Sequence, residues 1–192
     1  MKKTLFAAAM IAAMFAGTSV MAQTSKGLYM TQQDYESKRT NDADKINAES
    51  VFNRSKVVTS KDGKTSTFDK SEVFGYRDKN NQDYRFFNNE AYKIVDNDQF
   101  LLYSRLEHIQ NGKERTKETR YYFSVQPGSE LLPLTKANLK QAFPANRQFH
   151  TLLDLQFRSD RELTAYDKFH KQFKVMELYN TAANGGLQAL NR

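Results

Sequence analysis

The sequence predicts an α+β protein, in which an antiparallel β-meander of about six or seven strands is followed by C-terminal helices packed on one face of the sheet. Between residues 51 and 126, short β-branched and aromatic segments alternate with turn signals such as Asp62-Gly63 and Asn111-Gly112. After Pro127-Gly128, apolar residues recur instead at the three- and four-residue spacing of amphipathic helices.

The first 22 residues, MKKTLFAAAMIAAMFAGTSVMA, predict a signal peptide: two lysines precede an apolar segment that ends at small residues. A membrane-spanning helix is disfavoured because residues 17–19 (Gly-Thr-Ser) interrupt this segment, which is shorter than the roughly 20 apolar residues needed to span a bilayer. We expect cleavage after Ala22, a mature chain that begins at Gln23 without a transmembrane segment, and a periplasmic or secreted location.

The composition predicts one domain without covalent cross-links. The chain contains no cysteine, so neither a disulfide nor lipid attachment to cysteine is available, and stability has to come from packing. A chain of this length buries roughly two-thirds of its unfolded surface in a single core. We expect a single domain at residues 23–184, made of a helical turn and loop at 23–50, the meander at 51–126 and helices at 135–184, with a loose tail at 185–192.

The N-terminal part of the mature chain predicts one short helix and a loop. Thr31 and Asp34 have the spacing of a capping box that opens a helix of one or two turns. Residues 40–50, TNDADKINAES, are polar and predict a loop.

The first predicted hairpin turns at Asp62-Gly63, a pair that favours a two-residue turn. This register places Val57 opposite Phe68 and Lys56 opposite Asp69, and both pairs are favourable across strands.

Residues 72–87, EVFGYRDKNNQDYRFF, mix rings and charges and could form either a ligand-stacking platform or an ordinary hairpin. A turn centred on Asn80 places Tyr76 opposite Tyr84 and Arg77 opposite Asp83. The rings then form a ladder on one face, which we expect to pack against the helices, and the charges occupy the other face, which we expect to face solvent. The predicted ladder is Phe74, Tyr76, Tyr84 and Phe86, and the predicted exposed face includes Arg77, Asp83 and Arg85.

A short strand is predicted over residues 91–95, and a third hairpin turns at Asn111-Gly112. The predicted register of this hairpin sets Arg105 against Glu118, Tyr103 beside Arg120, Leu102 against Tyr121 and Phe100 against Phe123.

The C-terminal part predicts helices with identifiable ends. Thr135 is a candidate N-cap, Pro144 a break, and residues 149–157 have the apolar spacing of a helix. Ser159 to Glu162 resembles a capping box that opens a further helix, and Gly185-Gly186 is expected to end the last one.

The sequence contains no recognisable catalytic or metal-binding motif. His108, His150 and His170 lie far apart in the chain, without the close pairing that defines a metal site, and phosphate-binding loops and nucleophile elbows are absent. We therefore predict neither a metal nor a cofactor. The candidate binding residues are the basic and aromatic side chains expected on exposed strands, namely Arg77, Arg85, Tyr103 and Arg120.

Two segments carry a resemblance to known proteins. GLYMTQQDYESKR (27–39) and the later Gly75-Tyr76-x-Asp78 hairpin resemble a group of small exported Bacteroidota proteins of uncharacterised function. In that group, a Gly-aliphatic-aromatic-x-Ser/Thr-x-x-Asp-aromatic start is similar to residues 27–35 here. The resemblance implies an exported envelope protein of a diderm bacterium, and it supplies no catalytic residues.

Two functions compete on this sequence. The favoured one is a non-enzymatic periplasmic or secreted module that binds an envelope component or a protein partner, because aromatic strands occur without a catalytic set. The alternative is a hydrolase whose catalytic residues are not visible as motifs. The formal net charge of +7 is spread along the chain, which favours weak, non-specific and salt-sensitive binding to polyanions over specific nucleic-acid recognition.

Overall fold

The computed structural model describes residues 25–49, 53–112 and 114–190. The predicted signal peptide lies outside the described residues. Within them, the strands are β1 (Gly27–Tyr29), β2 (Asn41–Asp42), β3 (Lys45–Asn47), β4 (Lys56–Lys61), β5 (Lys64–Asp69), β6 (Gly75–Arg77), β7 (Asp83–Phe87), β8 (Glu90–Asp96), β9 (Leu101–Asn111), β10 (Glu114–Ser124), β11 (Leu132–Pro133), β12 (Tyr166–Asp167) and β13 (Gln172–Phe173). The helices are α1 (Gln32–Glu36), α2 (Lys136–Ala142), α3 (Arg147–Gln156), a 3-10 helix (Asp160–Thr164) and α4 (Lys174–Leu190).

An eight-stranded antiparallel sheet dominates the fold, with the strand order β11-β10-β9-β8-β7-β6-β1-β2. Its six strands from β6 to β11 follow one another along the chain as a meander, and the helices α2 to α4 come after them. The predicted α+β class and element order are therefore confirmed. The hairpin β4-β5, predicted as part of the same meander, instead forms a separate three-stranded sheet with β3.

The first helix begins as the sequence predicts. The Thr31 hydroxyl accepts a hydrogen bond from the Asp34 backbone N–H at 3.1 Å, and the Asp34 carboxylate accepts one from the Thr31 N–H at 3.0 Å. This reciprocal pair is a capping box, which satisfies two backbone donors that the helix leaves free. Residues 40–50 differ from the prediction, because part of this segment forms the short strands β2 and β3.

The first two hairpins have the predicted registers. Val57 lies opposite Phe68 and Lys56 opposite Asp69, with Asp62 and Gly63 both at positive φ in the turn. In the second hairpin, Tyr76 lies opposite Tyr84, and Arg77 lies opposite Asp83.

The register of the long hairpin β9-β10 differs from the prediction by two residues. Leu102 lies opposite Phe123, and Arg105 lies opposite Arg120 rather than Glu118. The strands pair as far as Asn111 opposite Glu114. This register opposes two fully buried side chains, Leu102 and Phe123, and Glu107 pairs with Arg105 along its own strand and with Arg120 diagonally across the strands.

The predicted C-terminal helices are confirmed by α2, α3 and α4, but the boundaries predicted beyond α3 are wrong. Thr135 caps α2, and the chain breaks between α2 and α3 around Pro144. The capping box predicted at Ser159 does not form: its side chain makes no cap bond, and a 3-10 helix and the β12-β13 hairpin follow. Gly185-Gly186 does not end the last helix, since α4 continues to Leu190.

The large sheet carries apolar cores on both faces. On one face, Leu102 and Phe123 pack against α2, α3 and α4, and Tyr76 and Phe86 pack against the three-stranded sheet. The opposite face is covered by α1 and the segment around Leu131. Two rings of the predicted ladder, Tyr76 and Phe86, are therefore buried and Tyr84 is partly buried, and the three-stranded sheet packs against them in place of the helices. Phe74 leaves the ladder and stacks on Tyr35, with ring centroids 5.0 Å apart.

Replacing Gly112 by valine is expected to lower the free energy of unfolding by about 1 kcal/mol or more. Gly112 has φ +64°, a conformation that a β-branched residue adopts only with strain. A Cβ at this position would meet no atom within 4 Å, so the cost would come from the backbone alone. The urea midpoint of the variant checks this, and an unchanged midpoint would contradict the turn geometry.

Candidate functional site

Of the four predicted binding residues, the structure buries Arg85 and Tyr103 and leaves Arg77 only slightly exposed. Arg77 lies in a cluster around Asp83, whose carboxylate accepts hydrogen bonds from the Arg77 guanidinium at 2.7 and 2.8 Å, the Lys38 ammonium at 2.9 Å and the Tyr29 hydroxyl at 2.8 Å. Burial raises the pKa of Asp83, but these charged and neutral donors outweigh burial and hold the pKa below its usual value. Every oxygen of the carboxylate is thus occupied by the protein itself.

Arg85 and Tyr103 contact each other in the core on the face of the large sheet that α1 covers. The Arg85 guanidinium donates to the Tyr103 hydroxyl at 3.3 Å and to the Ser124 hydroxyl at 3.4 Å, and only 5% of Arg85 is exposed. The rings of Phe74, Phe87 and Tyr103 lie within 5.9 Å of the guanidinium carbon. This arrangement is a cation held by rings and hydroxyls, and α1 and its neighbours cover it.

The prediction that Arg77, Asp83 and Arg85 face solvent is wrong. Their face of the sheet is the one that α1 and Leu131 cover. Arg120 is the predicted site residue that stays exposed, and it is paired with Glu107 at 3.7 Å and Glu118 at 3.6 Å. The four residues do not form a common site.

An open groove lies on the other face of the large sheet, next to the three-stranded sheet, with a volume of about 730 Å³. Its floor is built by residues that lie side by side on neighbouring strands: Tyr84 opposite Lys93, Lys93 opposite Ser104, and His108 opposite Lys117. Ala48, Glu49 and Arg54, which precede β4, and Lys70, which follows β5, supply its wall. The lining residues are Ala48, Glu49, Arg54, Lys70, Tyr84, Glu90, Ala91, Lys93, Ser104, Arg105, Leu106, His108, Lys117 and Thr119.

The groove is basic. Arg54, Lys70, Lys93 and Lys117 line it against Glu49, whereas Arg105 pairs with Glu90 at 3.1 Å and its guanidinium lies over the Tyr92 ring on the opposite face of the sheet. Arg54, Lys93 and Lys117 are exposed and form no ion pair within the described part of the chain. Three positive charges therefore remain available to an anion in the groove.

Lys70 is the buried cation of this wall, with 5% of the residue exposed. Its ammonium donates to the Asn89 carbonyl at 2.9 Å and lies 5.5 Å from the centre of the Phe86 ring. Burial lowers the pKa of Lys70, because a charged ammonium is poorly solvated there. An anion in the groove would favour the charged form.

A second cleft of about 660 Å³ lies between β3, β4 and the β6-β7 hairpin. Its lining combines apolar Ile46, Val58 and Tyr76 with both signs of charge, including Lys45 and Asp44. Tyr76 lines this cleft and Tyr84 lines the basic groove, and the two rings stack at 4.6 Å with an interplanar angle of 2°. The stacked tyrosines thus stand between the two clefts.

The histidines do not assemble a catalytic set among the described residues. His150 contacts the Phe143 carbonyl at 2.9 Å, and His170 contacts Asp167 at 2.8 Å on the exposed β12-β13 hairpin, where the prediction had placed a helix. His108 and Ser104 share the groove but stand four residues apart on one strand, about 13 Å along it. In the described ranges, no three His, Asp or Glu side chains cluster closely enough to hold a metal ion.

Comparison of the chain with protein-family models, with curated proteins and with solved structures finds no match. None of the helices in the described ranges has the length and apolar character needed to cross a membrane.

The sequence did contain a signal for the groove. Alternation along β8 and β9 places Lys93 on the same face as Ala91, and Ser104 on the same face as Leu106. Polar residues at the middle of an otherwise apolar face indicate where the covering elements stop.

Proposed function

We propose that the protein is an exported, non-enzymatic binding module of the cell envelope, and that its basic groove holds an acidic saccharide chain. The export part of the proposal is supported by the pattern of residues 1–22. The observation that carries the binding part is the set of three exposed, unpaired cations of the described groove, Arg54, Lys93 and Lys117.

The spacing of these cations favours an extended ligand. Lys93 lies opposite Ser104 and Lys117 opposite His108, so the two lysines are separated by four residues, or about 13 Å, along the strand direction. A single phosphate or carboxylate could contact only one of them. A chain that carries an acidic group on successive units could contact both.

The remaining floor residues favour a sugar. The hydroxyls of Tyr84, Ser104 and Thr119 line the groove and form no side-chain hydrogen bond with another described residue. Hydroxyl groups both donate and accept, which suits the hydroxyls of a saccharide. The half-exposed Tyr84 ring adds an apolar surface between them.

Charge reversal in the groove is expected to weaken binding of hexagalacturonate by about tenfold for each of Lys93→Glu and Lys117→Glu, because an exposed charge pair contributes on the order of 1 kcal/mol and reversal replaces attraction with repulsion. Titration calorimetry at about 0.02 M and 0.15 M salt would measure this, with weaker binding at the higher salt because screening shortens the reach of exposed charges.

Lys64→Glu is the matched control. It makes the same change in net charge at an exposed lysine of β5 that does not line the groove, so its affinity should stay near that of the wild type. Maltohexaose, which is neutral, should bind much more weakly than hexagalacturonate. An equal loss in Lys64→Glu, or equal affinity for the two sugars, would contradict the proposal.

A further inference from the structure

The tip of the β12-β13 hairpin presents an aromatic ring to solvent. Tyr166 pairs with Phe173 and Asp167 with Gln172, and residues 168–171, Lys-Phe-His-Lys, form the turn between them. Phe169 is 86% exposed, the highest value among the exposed large apolar residues of the described chain. A single exposed ring is common on protein surfaces and does not by itself indicate a binding site.

The tip is held in this conformation by its own hydrogen bonds. One Asp167 carboxylate oxygen accepts from the backbone N–H of Phe169 at 2.7 Å and of His170 at 3.1 Å, and the other contacts the His170 ring at 2.8 Å. At the base of the hairpin, Phe173 is buried against the helical core. The backbone that carries Phe169 is thus held in place before any partner arrives, which reduces the entropy lost on binding.

The two lysines of the turn supply charge beside the ring. Lys168 and Lys171 are exposed, and neither forms an ion pair with any residue that the structure describes. An apolar ring flanked by cations matches the boundary of an anionic bilayer, where rings enter the headgroup region and lysines contact phosphates. A protein pocket would match the ring but would not need both lysines.

We propose that this tip is a membrane-contact site, which places Phe169 in the headgroup region of an anionic lipid surface while Lys168 and Lys171 bind lipid phosphates. The inference is independent of the groove and goes beyond the saccharide binding proposed for it. Each lysine is expected to strengthen lipid binding about fivefold, so the contact is weak and reversible.

The absence of tryptophan from the chain gives a direct test. In Phe169→Trp, the introduced tryptophan is the only one, and its emission should shift to shorter wavelength with vesicles of phosphatidylglycerol and phosphatidylcholine but not with phosphatidylcholine alone. Leu155→Trp is the matched control, because Leu155 is 74% exposed on α3 and should show no shift.

Charge reversal of both lysines in the Phe169→Trp background should lower vesicle affinity by at least about 25-fold, the product of the two fivefold contributions. Lys93→Glu in the groove should leave vesicle affinity unchanged, which separates this proposal from the saccharide site. Sedimentation of the wild type and Phe169→Ala with the same vesicles gives a second measurement without a new chromophore, with less of the alanine variant bound. No shift with anionic vesicles, an equal shift with neutral ones, or an equal shift in Leu155→Trp would overturn the proposal.

Discussion

Replacing Asp83 by alanine is expected to lower the free energy of unfolding by about 3–5 kcal/mol, because removing one partner of a buried ion pair leaves the other charge without compensation. The Arg77 side chain is only 12% exposed, and the Lys38 ammonium and the Tyr29 hydroxyl would lose the same acceptor. The carboxylate joins β1, the residues after α1, β6 and β7, so its loss would loosen all four. Urea unfolding of the variant and the wild type would measure the change.

Asp69→Ala provides the control for this experiment. Asp69 also pairs with a lysine, Lys56, at 2.6 Å, but the two side chains are 39% and 35% exposed. A partly exposed pair of this kind contributes about 0–1 kcal/mol. If Asp83→Ala and Asp69→Ala have equal effects, the buried cluster does not stabilise the fold as the geometry indicates.

The same cluster makes stability depend on pH. The folded-state pKa of Asp83 is below its unfolded value of about 3.9, so the stability it contributes is fully present above that value and is lost as the pH falls through the folded-state pKa. Asp83→Asn removes this titration, and the variant should therefore lose less stability than the wild type on acidification below about pH 4. An equal loss of stability in the wild type and in Asp83→Asn on acidification would contradict the lowered pKa of Asp83.

Gly75→Ala is expected to cost about 3 kcal/mol of unfolding free energy. A Cβ at Gly75 would overlap the carbonyl oxygen of Tyr84 and lie 2.9 Å from its carbonyl carbon. Both atoms belong to the backbone of the neighbouring strand β7, so no side-chain rotation can relieve the overlap. The strands β6 and β7 would have to separate at the point where Gly75 pairs with Arg85.

Gly128→Ala separates this effect from a general intolerance of glycine replacement. A Cβ at Gly128 would overlap the amide oxygen at the end of the Gln32 side chain, which can rotate away. We expect a change within about 0.5 kcal/mol, as for a surface substitution. A thermal unfolding series of both variants would measure the difference, and a Gly75→Ala midpoint close to that of Gly128→Ala would refute the backbone overlap.

The hairpins show how far local sequence can specify pairing. For Asp62-Gly63 and for the turn around Asn80, turn chemistry and cross-strand pairs agree on one register, and that register is observed. In β9-β10, the Asn111-Gly112 pair pointed to a register two residues away from the one observed. A shift of two residues keeps every side chain on its face, so alternation cannot distinguish the two registers.

Contacts outside the hairpin favour the observed register of β9-β10. It places Leu102 and Phe123 together against the helices, and it brings the hydroxyls of Tyr103 and Ser124 within 2.9 Å of each other beside Arg85. Arg105 and Arg120 then lie opposite each other, but each also contacts the carboxylate of Glu107. The shared Glu107 carboxylate thereby offsets the direct opposition of the two arginines.

Local sequence patterns determined the α+β class, the meander followed by helices, the cap at Thr31 and the pairing of Tyr76 with Tyr84, because each of these depends on residues close together in the chain. Only the tertiary structure decided which element covers each face of the sheet. The docking of α1 buries Arg85, and the end of the three-stranded sheet leaves Lys93 exposed in a groove. Alternation assigns side chains to a face, whereas burial depends on what packs against that face, and the packing elements come from distant parts of the chain.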